Sequence, residues 1–361
     1  MLFIGRTRYS LPLTTGLARK FAALSAELDL RVLASAATGS RSGDATFTLV
    51  RPVRPAALDG VAYWLGLPLR AARCLREFRP DAVVCQTAYD AAAALVARRL
   101  SRVPARVVVE VHGDWRTSTR LYGSPRRRFV ARIADAVAGG AVRRADAVRT
   151  VSPFTAGLVR ALGVDPAADF PAFMDLDPFL GEVRPLPERP TALFVGVLEP
   201  YKNVDGLAEA WRLAAPHVPQ ASLRIVGSGS CEDVAEGLAR EHGVRWDARL
   251  EPAEVAAAMD EAWVLVLPSR SEGMGRVLVE AFCRARGVVG TRAGSIPDLV
   301  EDGLAGLLVA PEDPQALSEA LVRVLSDRGL AERLSQGARA AASPWIQTPE
   351  EYARRMRELV E

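Results

Sequence analysis

Ala262-Trp-Val-Leu-Val-Leu-Pro268 runs directly into Ser269-Arg-Ser-Glu-Gly-Met-Gly-Arg-Val-Leu-Val-Glu280. The first stretch, a short apolar run closed by proline, predicts a buried parallel strand. Val277 to Arg284 predicts a helix. Gly273 and Gly275 therefore fall in a strand-to-helix turn, where unpaired amides and the helix dipole can receive an anion. Glu272 stands before that turn and Glu280 about two helical turns beyond it. Carboxylates so placed can hold both ends of a phosphate-bearing ligand; the plainer reading of the glycines is a tight turn and nothing more.

Outward from this segment the same alternation repeats. Strands are expected near Leu193–Val197, Ser222–Val226 and Val288–Thr291 with helices between them, and Gly227-Ser-Gly229 makes a second tight turn at a strand end. The first half reads alike, with strands near Leu2–Ile4, Leu30–Ala34, Ala82–Cys85, Val107–Val111 and Ala147–Val151. Helices are expected at Thr15–Leu28, Val61–Phe78, Ala91–Ser101 and Pro125–Arg144, the last with Ser124 as N-cap and Pro125 at the first helical position. Short apolar strands alternating with helices make an α/β chain, each parallel sheet covered on both faces. Three prolines among charges in Gly181–Pro190 mark the linker. The expected division is residues 1–182, residues 183–342, and a terminal helix in 343–361 that returns to the first domain with Trp345 and Tyr352 as anchors. Two doubly wound, Rossmann-like domains facing across a central cleft would bind ligands at the C-terminal ends of both sheets.

Composition narrows the function classes. A chain of 361 residues, 49% hydrophobic, can build two ordinary cores. A net charge of +3 makes no case for a nucleic-acid partner. Cys74, Cys85, Cys231 and Cys283 are scattered, as are His112, His217 and His242, so no metal site is expected. No apolar run reaches membrane-spanning length and no secretory leader is visible, which makes the cytoplasm the default. Of 46 basic residues only Lys20 and Lys202 are lysine. Lys202, at the strand-end loop Val195-Gly196-Val197-Leu-Glu-Pro-Tyr-Lys-Asn203, is thus a position where a compact ammonium matters more than a guanidinium fork.

Together these segments resemble the family 4 glycosyltransferases, retaining enzymes of the GT-B fold. The resemblance runs from about Thr191 to Asp327 and rests on Ser-Glu-Gly-Met-Gly…Glu, the Val-Gly…Lys-Asn loop with Gly196, and Gly294-Ser-Ile-Pro-Asp298. In the first half it is looser, carried by Val111-His-Gly-Asp114 and Thr150-Val-Ser-Pro-Phe154. The resemblance implies transfer of a sugar from a nucleotide-diphosphate sugar to a hydroxyl acceptor, lipid-linked or a glycan intermediate, with no metal and no cofactor. It implies that Glu272 contacts donor sugar hydroxyls and that the amides of Gly273, Met274, Gly275 and Arg276 face the diphosphate. It further implies that Glu280 accepts from the ribose hydroxyls, that Lys202 neutralises the leaving phosphate, and that His112 lies near the reacting sugar. Gly196 and Gly227 complete the donor-binding set.

One departure stands out. The family usually carries arginine after the glycine of the Val-Gly loop, where this chain has Val197; Arg276 and Arg270 are the two candidates to supply the missing charge. The stretch Arg116, Arg120, Arg126, Arg127, Arg128 and Arg132 reads either as a solvated face or as a surface for anionic lipid headgroups. A nucleotide-sugar epimerase on the same fold and a non-catalytic nucleotide-sugar-binding protein are the alternative functions.

Overall fold

The structure, a computed structural model, describes residues 1–41, 43–54, 56–117 and 125–361; for residues 56–58 and 125–130 it describes the backbone alone. The expected N-cap Ser124 and the side chains of Arg120, Arg126, Arg127 and Arg128 lie outside the described residues. The chain folds as two compact units: Met1–Met174 with Gln347–Glu361, and Asp175–Ile346.

The first unit is built on seven parallel strands: β1 (Leu2–Tyr9), β2 (Arg31–Ala36), β3 (Phe47–Val50), β4 (Ala82–Cys85), β5 (Arg106–Val111), β6 (Ala147–Thr150) and β7 (Ala168–Asp169). Their order in the sheet is β3-β2-β1-β4-β5-β6-β7. Because successive side chains of a strand point to opposite faces, near-continuous apolar runs feed two cores at once. Leu2, Ile4, Val83 and Val107 pack under the helices Ala56–Phe78, Ala88–Ser101 and Pro125–Arg144. Phe3, Val84 and Val108 pack on the other face, with Phe21 of helix Thr15–Glu27 and with Tyr352, Ala353 and Met356 of the last helix, Pro349–Val360.

The second unit carries six parallel strands: β8 (Thr191–Val195), β9 (Ser222–Val226), β10 (Val244–Asp247), β11 (Val264–Leu267), β12 (Gly287–Thr291) and β13 (Gly306–Val309), in the order β10-β9-β8-β11-β12-β13. The chain therefore winds outward one way from β8 and then, after β10, returns to start the other half at β11. Between β8 and β11 the connections on the two sides leave the sheet in opposite directions, which opens a crevice at the carboxyl ends of those two strands.

The sequence reading put the first division at 182/183; the structure puts it at Met174/Asp175. The proline-rich segment is not a free tether but is stapled to the second unit through its carbonyls. Arg284 donates to the Glu182 carbonyl at 2.7 Å, Arg286 to that of Arg184 at 3.0 Å, and Arg328 to that of Leu186 at 2.8 Å. The Trp263 indole donates to the Pro187 carbonyl at 2.8 Å. Prolines bring acceptors and no donors, so donors must come from elsewhere, and here guanidinium groups bring several each. The second division falls at Ile346/Gln347. Tyr352 is buried in the first unit's core, whereas Trp345 sits half-buried in a short 3-10 turn of the second unit.

Candidate functional site

Four loops leave the carboxyl edge of the second unit's sheet at neighbouring strands. The loop after β8 runs Gly196–Asn203 and ends in the 3-10 turn Pro200–Lys202; the loop after β9 contains Gly227; those after β11 and β12 contain Glu272–Gly275 and Gly294–Ser295. Their backbones are locked together. Gly196 donates to the Val226 carbonyl at 3.0 Å and Leu198 to that of Ser228 at 2.9 Å, so the β8 and β9 loops extend the sheet pairing. At Gly227, with φ of +140°, a β-carbon would lie 1.8 Å from the Gly196 carbonyl oxygen. No other residue fits that approach. The amide of Arg270 donates to the Tyr201 carbonyl at 2.7 Å, and that of Ser295 to the Glu272 carbonyl at 3.0 Å. Gly294, with φ of +57°, stacks its α-carbon on Glu272 so closely that a β-carbon would meet the Glu272 oxygen at 2.0 Å.

This scaffold brings Lys202 and Glu272, 70 residues apart, into direct contact: Nζ lies 2.5 Å from Oε2. Both side chains are largely buried, at 10% and 14% exposure. The buried Ser269 hydroxyl stands 3.5 Å from the same carboxylate oxygen, and the Lys202 ammonium sits 5.4 Å from the Tyr201 ring centroid. Sequence reasoning named Lys202 and Glu272 separately; their pairing, and Ser269 beneath them, it missed. A hydroxyl directly after the strand-ending Pro268 was the signal available in the sequence.

Gly275 caps the helix Arg276–Cys283 in the left-handed region, φ +63°, and no side chain caps the first turn. Met274 is buried. Glu280 is half-buried on that helix, and its carboxyl makes no hydrogen bond with any described residue. Burial pushes that carboxyl above its usual range, against the opposing pull of Arg276 and Lys202. A half-buried carboxylate with open acceptor sites next to two cations suits a neutral polyhydroxyl group. Arg276 is exposed on the first turn and pairs with no described residue. Arg270, by contrast, is committed: it grips Asp205 with two bonds of 3.1 and 2.8 Å, Glu312 at 3.0 Å and the Pro200 carbonyl at 2.5 Å. The bond from Arg270, outweighing burial, holds the Asp205 carboxyl below its ordinary value. Of the two arginines weighed for the place left by Val197, which is itself 48% exposed, only Arg276 is unengaged.

His112 belongs to the first unit, directly after β5, exposed, with Nε2 3.4 Å from Oε2 of Glu110. Glu110 is buried. Burial alone would raise its carboxyl, but the Arg149 guanidinium bonded to it, with His112 and Lys20 beside it, brings it down to about 2. Arg149 in turn donates to the carbonyls of Phe170 and Pro171 at 3.1 and 2.7 Å. Sequence reasoning found His112 and missed the buried carboxylate under it. Among the described residues no three His, Cys, Asp or Glu side chains gather to hold a metal ion.

Comparisons with known proteins agree with this division. The family described as Glycosyl transferase 4-like domain matches residues 12–168, and Glycosyl transferases group 1 matches residues 181–341. A glycogen synthase of Mycobacterium tuberculosis is 29% identical over 288 residues, 76% of this chain and 67% of its own length. A sucrose-phosphate synthase from Thermosynechococcus elongatus superposes with a TM-score of 0.78 at 18% identity over 99% of this chain and 97% of that one. The Anabaena protein HepE, solved in complex with UDP-glucose, superposes with a TM-score of 0.70 at 18% identity over 98% of each chain.

Proposed function

Because this chain belongs to the family 4-like glycosyltransferases and has their GT-B fold, we propose that it moves a sugar, with retention, from a nucleoside-diphosphate sugar to a hydroxyl acceptor. The observation that carries the reading is the Lys202–Glu272 pair at the β8/β11 crevice, with the left-handed Gly275 turn and the unengaged Arg276 beside it. The relative solved with UDP-glucose supports the donor class.

Breaking the bond between the anomeric carbon and the diphosphate oxygen develops positive charge on the sugar and negative charge on the leaving group. In this reading the Lys202 ammonium and the amides of the Gly273–Arg276 turn stabilise the leaving diphosphate, in a site poor in water where each contact counts for more. Glu272 accepts from donor sugar hydroxyls, and Glu280 accepts from the ribose. The acceptor oxygen bonds to the anomeric carbon on the face the diphosphate leaves, and its proton passes to a phosphate oxygen. His112 is assigned to the reacting sugar. No resident metal enters this scheme.

Incubation with a panel of nucleotide sugars and hydroxyl acceptors, read as release of nucleoside diphosphate, tests it. Release is expected with one donor class, dependent on acceptor, and lost in Glu272→Gln. Thermal stabilisation by that donor should accompany it, since a ligand that binds only the native state raises its stability. No release and no stabilisation across the panel would refute the proposal. Stabilisation without release would instead favour a binding protein, the reading that the uncharged Val197 encourages.

A further inference from the structure

Thirteen large aliphatic side chains stand well exposed on the described chain, and seven of them fall on three adjacent helices of the first unit. Helix Ala56–Phe78 shows Val61, Leu65 and Leu69; helix Ala88–Ser101 shows Val96 and Leu100; helix Pro125–Arg144 shows Ile133 and Val137. Each set repeats every fourth residue, so each helix carries an outward apolar stripe besides the one it buries against the sheet. Leu65, Leu69 and Ile133 are 76%, 67% and 61% exposed. A helix on a fully solvated surface normally has polar residues there.

Charge on the same face has one sign. Between the second and third of these helices runs a groove of 590 Å³, floored by Ala92, Leu95 and Gly140, with Arg99, Arg132 and Arg144 on its rim. Arg99 and Arg132 pair with no described residue, and Arg144 reaches only the Gly140 carbonyl. The acids of these helices are otherwise engaged: Asp59 and Asp90 are buried, Glu77 is held by Arg73 at 2.8 Å, and Asp135 is half-buried with a partner of its own.

We propose that this three-helix face docks on an anionic phospholipid surface. Its aliphatic stripes enter the boundary between headgroups and acyl chains, and the rim arginines take lipid phosphates. A lipid surface fits the features better than a second copy of the chain does. An isologous pairing would set the arginine rim against itself, and like charges brought together oppose association. Among the described residues the seven exposed stripe positions are all aliphatic, without the aromatic or arginine anchors that give protein interfaces their affinity. A fluid acyl matrix needs only apolar area.

Flotation of the full chain with vesicles of phosphatidylglycerol and phosphatidylcholine in equal parts, against vesicles of phosphatidylcholine alone, tests this. The protein is expected to float with the first and not the second, and salt should weaken the binding. Leu65→Glu with Ile133→Glu should reduce the bound fraction by about tenfold or more, since two aliphatic insertions are replaced by charge. Arg99→Gln with Arg132→Gln should flatten the salt dependence. All four positions are exposed, so the melting temperatures should match the parent. A parent that does not float with anionic vesicles, or a Leu65→Glu/Ile133→Glu variant that floats equally well, overturns the proposal. So does a concentration-dependent dimer in solution that the same variant dissociates, which would give the face to a second copy.

Discussion

Lys202→Met tests the central pair most directly. With the ammonium gone, the Glu272 carboxylate keeps, among the described residues, the Ser269 hydroxyl alone, 3.5 Å away, in a pocket where the two side chains are 10% and 14% exposed. Removing one member of a fully buried ion pair costs about 3–5 kcal/mol. Some water reaches this pair, so about 2–3 kcal/mol is the appropriate magnitude, between that figure and the value for an ordinary charged hydrogen bond. At roughly 2–4 °C per kcal/mol for a unit of this size, the calorimetric transition of the second unit should fall by about 4–12 °C. The partner substitution decides the interpretation. Lys202→Met combined with Glu272→Gln removes both charges, so it should recover more than half of the lost stability, the signature of coupling in a double-mutant cycle. Turnover should not recover, because in the proposed reaction each group contacts the donor; all three variants are expected at least tenfold below the parent. Stability losses that simply add in the double variant would refute the pairing. Parent-like turnover in the double variant would refute the active-site assignment and leave a structural ion pair.

Three further expectations follow from other parts of the molecule. Arg276→Leu should weaken nucleoside diphosphate binding by about 1–2 kcal/mol, less than a buried charged contact because the side chain is exposed; titration calorimetry in which Val197→Arg fails to restore affinity to Arg276→Leu would show that the two positions do not share the phosphate. Burial pushes the Asp90 carboxyl up to about 7, only partly offset by its bonds with Thr87. Because the folded-state value is raised, stability is fully present below the unfolded value near 4 and is lost as pH rises towards 7, at about 1.4 kcal/mol per pH unit. Asp90→Asn should flatten that decline and raise the melting temperature at neutral pH; an unchanged pH–stability curve would count against it. Tyr352→Ala should cost about 3–5 kcal/mol, since it hollows a core shared with Phe170 and Phe173 and removes the ring over which Lys20 lies at 5.2 Å; melting like that of the parent would show that the last helix is not integral to the first unit.

The sequence by itself determined the α/β class, the two-unit plan and the strand-to-helix turn at Gly273–Gly275. The central strands are buried on both faces, and such burial writes itself as runs like Val-Leu-Val-Leu. Four strands escaped: β3, β7, β10 and β13, and they are the four edges of the two sheets. An edge strand pairs on one side only and tolerates polar residues, as Ala168-Asp169 and Val244-Arg-Trp-Asp247 do, so those two do not stand out; Phe47–Val50 and Gly306–Val309 are mostly apolar and were missed without that reason. The structure's two units meet at positions other than those the prolines marked, for a related reason. Proline spacing marks where a chain cannot continue a helix or a sheet, but not which surface will supply donors to its carbonyls; Arg284, Arg286, Arg328 and Trp263 decided that from distant positions. Lys202 and Glu272 could be picked out singly by residue type and location. That they meet, while Arg270 two residues before Glu272 is spent on Asp205 and Glu312, depends on how the β8, β11 and β12 loops lock across the sheet edge. Pairing over 70 positions is set by strand order, and strand order is a property of the packed sheet rather than of any local stretch of chain.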